Sequence, residues 1–98
     1  MATDLFSPGR LGEFEARNRF IMAPMTRCRS DAQGVPTDIV ATYYAQRASA
    51  GLIITEGIAP CAVGLGYART PAIESAAQVD AWKKITAAVH AKGGKIFA

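Results

Sequence analysis

Leu52-Ile53-Ile54-Thr55 is the stretch on which the fold turns. It is a compact apolar run of strand length, and its β-branched content favours a strand over a helix. Two runs of the same kind flank it at a distance. Phe20-Ile21-Met22-Ala23 is closed by Pro24, which cannot donate to a sheet ladder, and Lys95-Ile96-Phe97-Ala98 comes last. Continuous apolar runs fit strands buried on both faces, as in a parallel sheet.

Helical patterns fill the intervals. From about Asp38 to Ala50, Val40, Tyr43, Tyr44 and Ala48 share one face at helical spacing. Thr37 or Asp38 supplies an N-cap oxygen, and Gly51 sits where a C-cap glycine belongs. The second helix starts at Ser75-Ala76-Ala77-Gln78, a capping-box spacing. Val79, Trp82, Ile85, Thr86 and Val89 form its stripe, Lys92 suits the helix dipole, and Gly93-Gly94 ends it. Arg27 to Pro36 is a polar loop, and Glu56 to Glu74 a long one with five Gly or Pro positions: Gly57, Pro60, Gly64, Gly66 and Pro71. Loops of that length in compact domains are often functional. Before all this, Leu5 to Asn18 carries turn signals at Ser7-Pro8-Gly9 and Gly12 and predicts a short lead-in hairpin.

Strand, helix, strand, helix, strand implies parallel strands joined by crossovers. Both a doubly wound sheet and a (β/α)₈ barrel fit that order. A dinucleotide fold wants a glycine fingerprint directly after the first strand, and Ala23-Pro24-Met25-Thr26 stands there instead.

Composition narrows the function classes. The chain has 98 residues, half of them hydrophobic and 19% charged, which is globular and not disordered. The net charge of +3 raises nucleic acid or another anion as a partner, but the basic residues are scattered and no groove-reading motif accompanies them. Cys28 and Cys61 lie far apart and His90 is the single histidine, so no metal site is expected. The cysteine usage gives no disulfide framework and points to a reducing, cytoplasmic setting. Met1-Ala2-Thr3-Asp4 does not open a signal peptide, and no apolar stretch approaches a membrane span.

Several separated motifs in collinear order carry a family resemblance. Asn18-Arg19-Phe20-Ile21-Met22-Ala23-Pro24-Met25-Thr26-Arg27 resembles the first-strand motif of the old yellow enzymes. Gly34-Val35-Pro36-Thr37 with Tyr43-Tyr44-Ala45-Gln46-Arg47-Ala48 resembles their first helix, and Ala50-Gly51-Leu52-Ile53-Ile54-Thr55-Glu56-Gly57 their second strand. Gly66-Tyr67 and Trp82-Lys83 follow in order, and His90-Ala91-Lys92-Gly93-Gly94-Lys95-Ile96-Phe97 resembles the lead into the third strand. The resemblance implies an α/β fold: residues 1–98 would be the N-terminal segment of one FMN-binding (β/α)₈ TIM barrel, with a lead-in hairpin, two βα units and the start of strand 3. It also implies an oxidoreductase in which NADPH or NADH reduces FMN and flavin N5 passes hydride to the β-carbon of an alkene activated by a carbonyl or nitro group.

Residue roles follow from the same resemblance. Ala23, Pro24 and Met25 match the segment along the isoalloxazine edge. Thr26 matches the threonine whose hydroxyl bonds flavin O4, and threonine there resembles the classical subclass. A donor at that end of the flavin favours the reduced state, where negative charge develops. Gly57 matches a small residue against the flavin, and Tyr67 a loop tyrosine near the substrate. Ordinary readings stand beside these. Met25 also suits core filling, Gly57 a turn, and Thr26 a strand end. Glu56 is expected in a salt bridge or bonded to backbone. Tyr43, Tyr44 and Trp82 are expected in helix-to-barrel packing. Arg27 and Arg29 are expected on a solvated loop, His90 near a helix end, and Cys28 and Cys61 as inert thiols.

A barrel of this kind needs about 250 residues. The family's next glutamine, the pair holding the substrate's activating oxygen, the tyrosine proton donor, the flavin-contacting arginine and the phosphate site have no counterpart in this sequence. The expectation is that the chain needs a complementary polypeptide, or the rest of a longer or permuted one, to bind flavin and act. Two other readings remain at this point: a non-catalytic assembly piece, and a basic anion-binding module.

Overall fold

A computed structural model describes residues 3–98; the reading of the first residues as no signal peptide falls partly outside that range. The order is β1 Gly9–Leu11, β2 Phe14–Ala16, β3 Ile21–Met22, α1 Asp38–Ala45, β4 Leu52–Ile54, a single 3₁₀ turn Ala62–Gly64, α2 Ala76–Ala91 and β5 Ile96–Phe97. The expected hairpin is present, with β1 and β2 antiparallel and Leu11 opposite Phe14. The three apolar runs form a parallel sheet in the order β3-β4-β5. Met22 pairs with Ile53, and Ile53 with Ile96.

β4 lies in the middle, and Ile53 is fully buried. Around it Val40, Tyr44 and Ala48 from the first helical segment meet Trp82, Ile85 and Val89 from α2 in one cluster. Burying a side chain such as Ile85 is worth about 1.5–3 kcal/mol. The expectation of strands buried on both faces holds for β4 alone. Ile21 and Phe97 are exposed, because β3 and β5 each have a paired strand on one side only, and Phe20 just before β3 is exposed too.

α1 is shorter than its apolar stripe. It ends at Ala45, and the chain continues in tighter turns: the Arg47 N–H donates to the Tyr44 carbonyl and the Ala48 N–H to that of Ala45. A final turn of this kind satisfies carbonyls that an α-helix end leaves free, so Ala48 stays on the buried face. Thr37 is at the N-cap position, but its hydroxyl donates to the Arg29 carbonyl at 2.5 Å instead of capping the helix.

Gly51 is required for a reason other than a C-cap. A Cβ there would stand 2.3 Å from the Asn18 carbonyl oxygen, so only glycine lets the chain pass. Asn18 fastens this crossing: its Nδ2 donates to the Ser49 carbonyl, and its Oδ1 accepts from the Phe20 N–H. Arg17 donates to the Ala48 carbonyl beside it.

α2 follows the sequence closely. The Ser75 hydroxyl accepts from the Gln78 N–H, and the Gln78 side chain accepts from the Ser75 N–H. Lys92 is the C-cap, and Gly93 then takes a left-handed φ of 74°. Gln78 does more than cap. It is buried, accepts also from the Glu74 N–H, and donates through Nε2 to the Gln33 carbonyl, tying α2 to the first loop. Ser75→Ala removes the cap oxygen and is expected to cost about 1 kcal/mol. It should appear as a lower urea midpoint at unchanged slope.

Candidate functional site

Parallel pairing places the residues after β3 and after β4 at the same end of the sheet. A pocket of about 400 Å³ opens elsewhere, among Arg27, Arg29, Ile39, Val40 and Tyr43. Its arginines are occupied in fastening their own neighbourhood. Arg27 Nε donates to the Thr26 carbonyl and Arg29 Nη1 to the Arg27 carbonyl, while Arg47 lies 4.0 Å over the Tyr43 ring.

The second pocket, of about 290 Å³, is the one at the strand ends. Thr26, Gly57, Pro60, Gly66, Tyr67 and Pro71 are among its lining. Three residues chosen from sequence, separated by up to 41 positions, therefore meet on one cavity. Ala23, Pro24 and Met25 are exposed on the segment between β3 and Thr26, but they do not line it. Met25 is 49% exposed, so it is not core filling in this chain.

The long loop is pinned rather than loose. The Ala59 N–H donates to the Pro71 carbonyl, and the Ile73 N–H returns to Ala59. The Ala62 N–H donates to Glu74, and the Thr70 hydroxyl to the Tyr67 carbonyl. The Trp82 indole donates to the Ala72 carbonyl and holds the returning arm of the loop on α2. Tyr67 itself is 75% exposed at the pocket.

Gly57 is the informative position. Its φ is not left-handed, and a Cβ there would meet nothing within 4 Å. Neither backbone conformation nor internal packing demands glycine. The space beside its backbone is open on the pocket side.

Directly before it, Glu56 is 2% exposed. Sequence reasoning expected an ion pair or a backbone partner there. Instead the Tyr44 hydroxyl donates to Glu56 Oε2 at 2.7 Å and accepts from the Glu56 N–H at 2.9 Å. Tyr44 was expected only to pack, and a helix position facing the end of the next strand was the sole signal for more. Cys28 and Cys61 are exposed and unpaired, and His90 is exposed on the last turn of α2. Among the described residues no cluster of three His, Cys, Asp or Glu side chains could hold a metal, and no helix is long and apolar enough to cross a membrane.

A β-α-β-α-β segment of parallel strands with a cavity at the strand ends is the class these features define. Residues 4–98 match the model of the NADH:flavin oxidoreductase / NADH oxidase family, and the chain belongs to that family. The structure of the old yellow enzyme homologue of Zymomonas mobilis is 56% identical and superposes with a TM-score of 0.93, over 98% of this chain and 27% of that one. 12-Oxophytodienoate reductase 7 of Oryza sativa subsp. japonica is 48% identical over 95% of this chain and 24% of its own length. A probable flavin mononucleotide-dependent alkene reductase of Leishmania infantum is 44% identical over 95% of this chain and 26% of its own. The chain thus spans about a quarter of the length of the curated relatives it matches, and corresponds to their N-terminal part. Its β3-α1-β4-α2-β5 order is the opening of their TIM barrel.

Burial holds the Tyr44 hydroxyl well above its ordinary value of 10.0; the Glu56 N–H pulls it down, and the Glu56 carboxyl pushes it further up. A value raised on folding stabilises fully below the unfolded value and is lost as pH rises past it, because the unfolded state then binds fewer protons. Stability of the complete protein should therefore fall above about pH 10. Tyr44→Phe should remove that component of the slope in urea titrations run across pH 9–11.

Proposed function

We propose that this chain is the N-terminal flavin-contacting part of an FMN-dependent ene-reductase that uses NADPH or NADH to reduce small activated alkenes. The observation that carries the reading is the convergence of Thr26, Gly57 and Tyr67 on one pocket at the C-terminal ends of parallel strands, where barrel enzymes place their sites. The open face of Gly57 fits a flavin ring. When bound, FMN would supply the hydride relay between the nicotinamide and the β-carbon of the alkene.

The chain's own residues have narrower tasks. Ala23, Pro24 and Met25 would lie along the flavin edge. The Thr26 hydroxyl would donate to flavin O4 and favour the reduced state. Gly57 would admit the ring, and Tyr67, on the loop at the pocket mouth, would contact the substrate. None of them is a proton donor to the substrate, so that task falls to the rest of the barrel, on a complementary polypeptide or a continuation of the chain. The exposed Ile21 and Phe97 on the outer strands, with Phe20 beside β3, favour such completion, and we take the 98-residue chain by itself to be inactive. The exposed, unpaired cysteines suit a cytoplasmic compartment.

The test is made on the completed protein. It should be yellow, bleach with NADPH in the absence of air, and regain its colour on adding cyclohex-2-enone. A colourless product that neither binds FMN nor oxidises NADPH overturns the reading. Thr26→Ala should lower the flavin midpoint potential and slow reduction by the nicotinamide; an unchanged potential removes Thr26 from O4. Gly57→Ala has room for its Cβ among the described residues, so its unfolding free energy should change by less than about 0.5 kcal/mol. Its FMN uptake should be lost, and retained uptake would place the ring elsewhere.

A further inference from the structure

The Tyr44 hydroxyl reaches the site without touching it. It donates to one carboxyl oxygen of Glu56 and accepts from the Glu56 backbone N–H, so two bonds from one oxygen grip a single residue. The Glu56 carbonyl is gripped as well, accepting from the Thr55 hydroxyl at 2.9 Å. The other carboxyl oxygen, Glu56 Oε1, is buried with no partner among the described residues, which leaves Tyr44 as the only donor to that carboxyl. The next residue is Gly57, on the pocket. No contact from its own absent side chain can fix Gly57, and nothing lies within 4 Å of where a Cβ would be. Its position is set through its neighbours in the chain.

We propose that Tyr44 is a positioning residue for the flavin site, clipping Glu56 so that the Gly57 backbone stands at a fixed distance from the ring. This rests on the ene-reductase reading above. Tyr44 is anchored for the task. It is fully buried, packed on Trp82 with ring centroids 6.3 Å apart and on Tyr43 at 5.1 Å. Its height is set by α1 and α2, so the helices fix the strand end through one hydroxyl.

The experiment compares Tyr44→Phe and Glu56→Gln in the complete flavoenzyme. Tyr44→Phe keeps the ring and removes the clip. It should raise the FMN dissociation constant about tenfold, equal to about 1.4 kcal/mol, and shift the flavin absorption band, while the KM for cyclohex-2-enone stays within about twofold. Glu56→Gln retains an oxygen to accept from Tyr44 and the same N–H, and should bind FMN within about twofold of wild type. A merely structural tyrosine would lower the unfolding midpoint and leave the spectrum and FMN affinity of the folded enzyme alone. That result for Tyr44→Phe overturns the proposal, as does Glu56→Gln losing FMN as heavily as Tyr44→Phe. Should Tyr44→Phe fail to fold, Glu56→Met removes the carboxyl that Tyr44 holds: weaker FMN binding in the folded enzyme supports the proposal, and unchanged binding and spectrum overturn it. Wild-type enzyme that takes up no FMN overturns the underlying ene-reductase reading instead, and is seen before any variant is made.

Discussion

Parallel pairing of Met22, Ile53 and Ile96 is the constraint on which everything else in this chain depends. It fixes register, and register fixes which residues face the helices. With Ile53 in the middle and fully buried, one shared surface is left for Val40, Tyr44 and Ala48 to meet Trp82, Ile85 and Val89. A slip of one residue would turn every strand side chain to the opposite face. The same pairing also aligns the strand ends, so that the segments following β3 and β4 open on common space. Packing and site thus have one origin.

What joins them is polar. A strand end in a protein interior carries backbone groups that need partners, and an unmade hydrogen bond there costs about 1–3 kcal/mol. In this chain those groups are met by long-range side chains. Tyr44 serves the end of β4, Asn18 and Arg17 the crossing at Gly51, and Gln78 the loop at Gln33. Each comes from an element next to the loop it holds. The long loop from Glu56 to Glu74 can therefore be an ordered wall of the pocket although it contains little regular structure of its own.

The parts legible in the sequence were those governed by short-range physics. Apolar runs of strand length, the capping box at Ser75-Gln78 and the helical stripes read directly into β3, β4, β5 and α2. Thr26, Gly57 and Tyr67 were legible through family resemblance alone, since a lone threonine, glycine or tyrosine has no spacing signal; the structure brings them to one pocket. Misreadings fell where a distant partner decides. Gly51 looked like a C-cap and is a close approach to Asn18. Thr37 looked like a capping side chain and bonds Arg29 instead. Glu56 was assigned an ion pair or a backbone partner and has Tyr44. Exposure of Ile21 and Phe97 could not be told from burial, because a run of residues does not say whether its strand is central or outer.

Charge at the pocket is as telling as shape. Arg27 and Arg29 follow Thr26 closely in sequence, yet they line the neighbouring pocket with Ile39, Val40 and Tyr43 and not the one at the strand ends. Their guanidinium groups point back to the carbonyls of residues 26–28, so they stiffen the turn that carries Cys28 at its left-handed φ of 56°. A guanidinium spent on backbone carbonyls keeps its charge but loses donors for a ligand. The wall of the pocket at the strand ends is made mostly of glycine, proline and apolar side chains, with Thr26, Tyr67 and Thr70 as its hydroxyl-bearing residues. A largely neutral surface with few donors suits a broad planar ring better than it suits a phosphate.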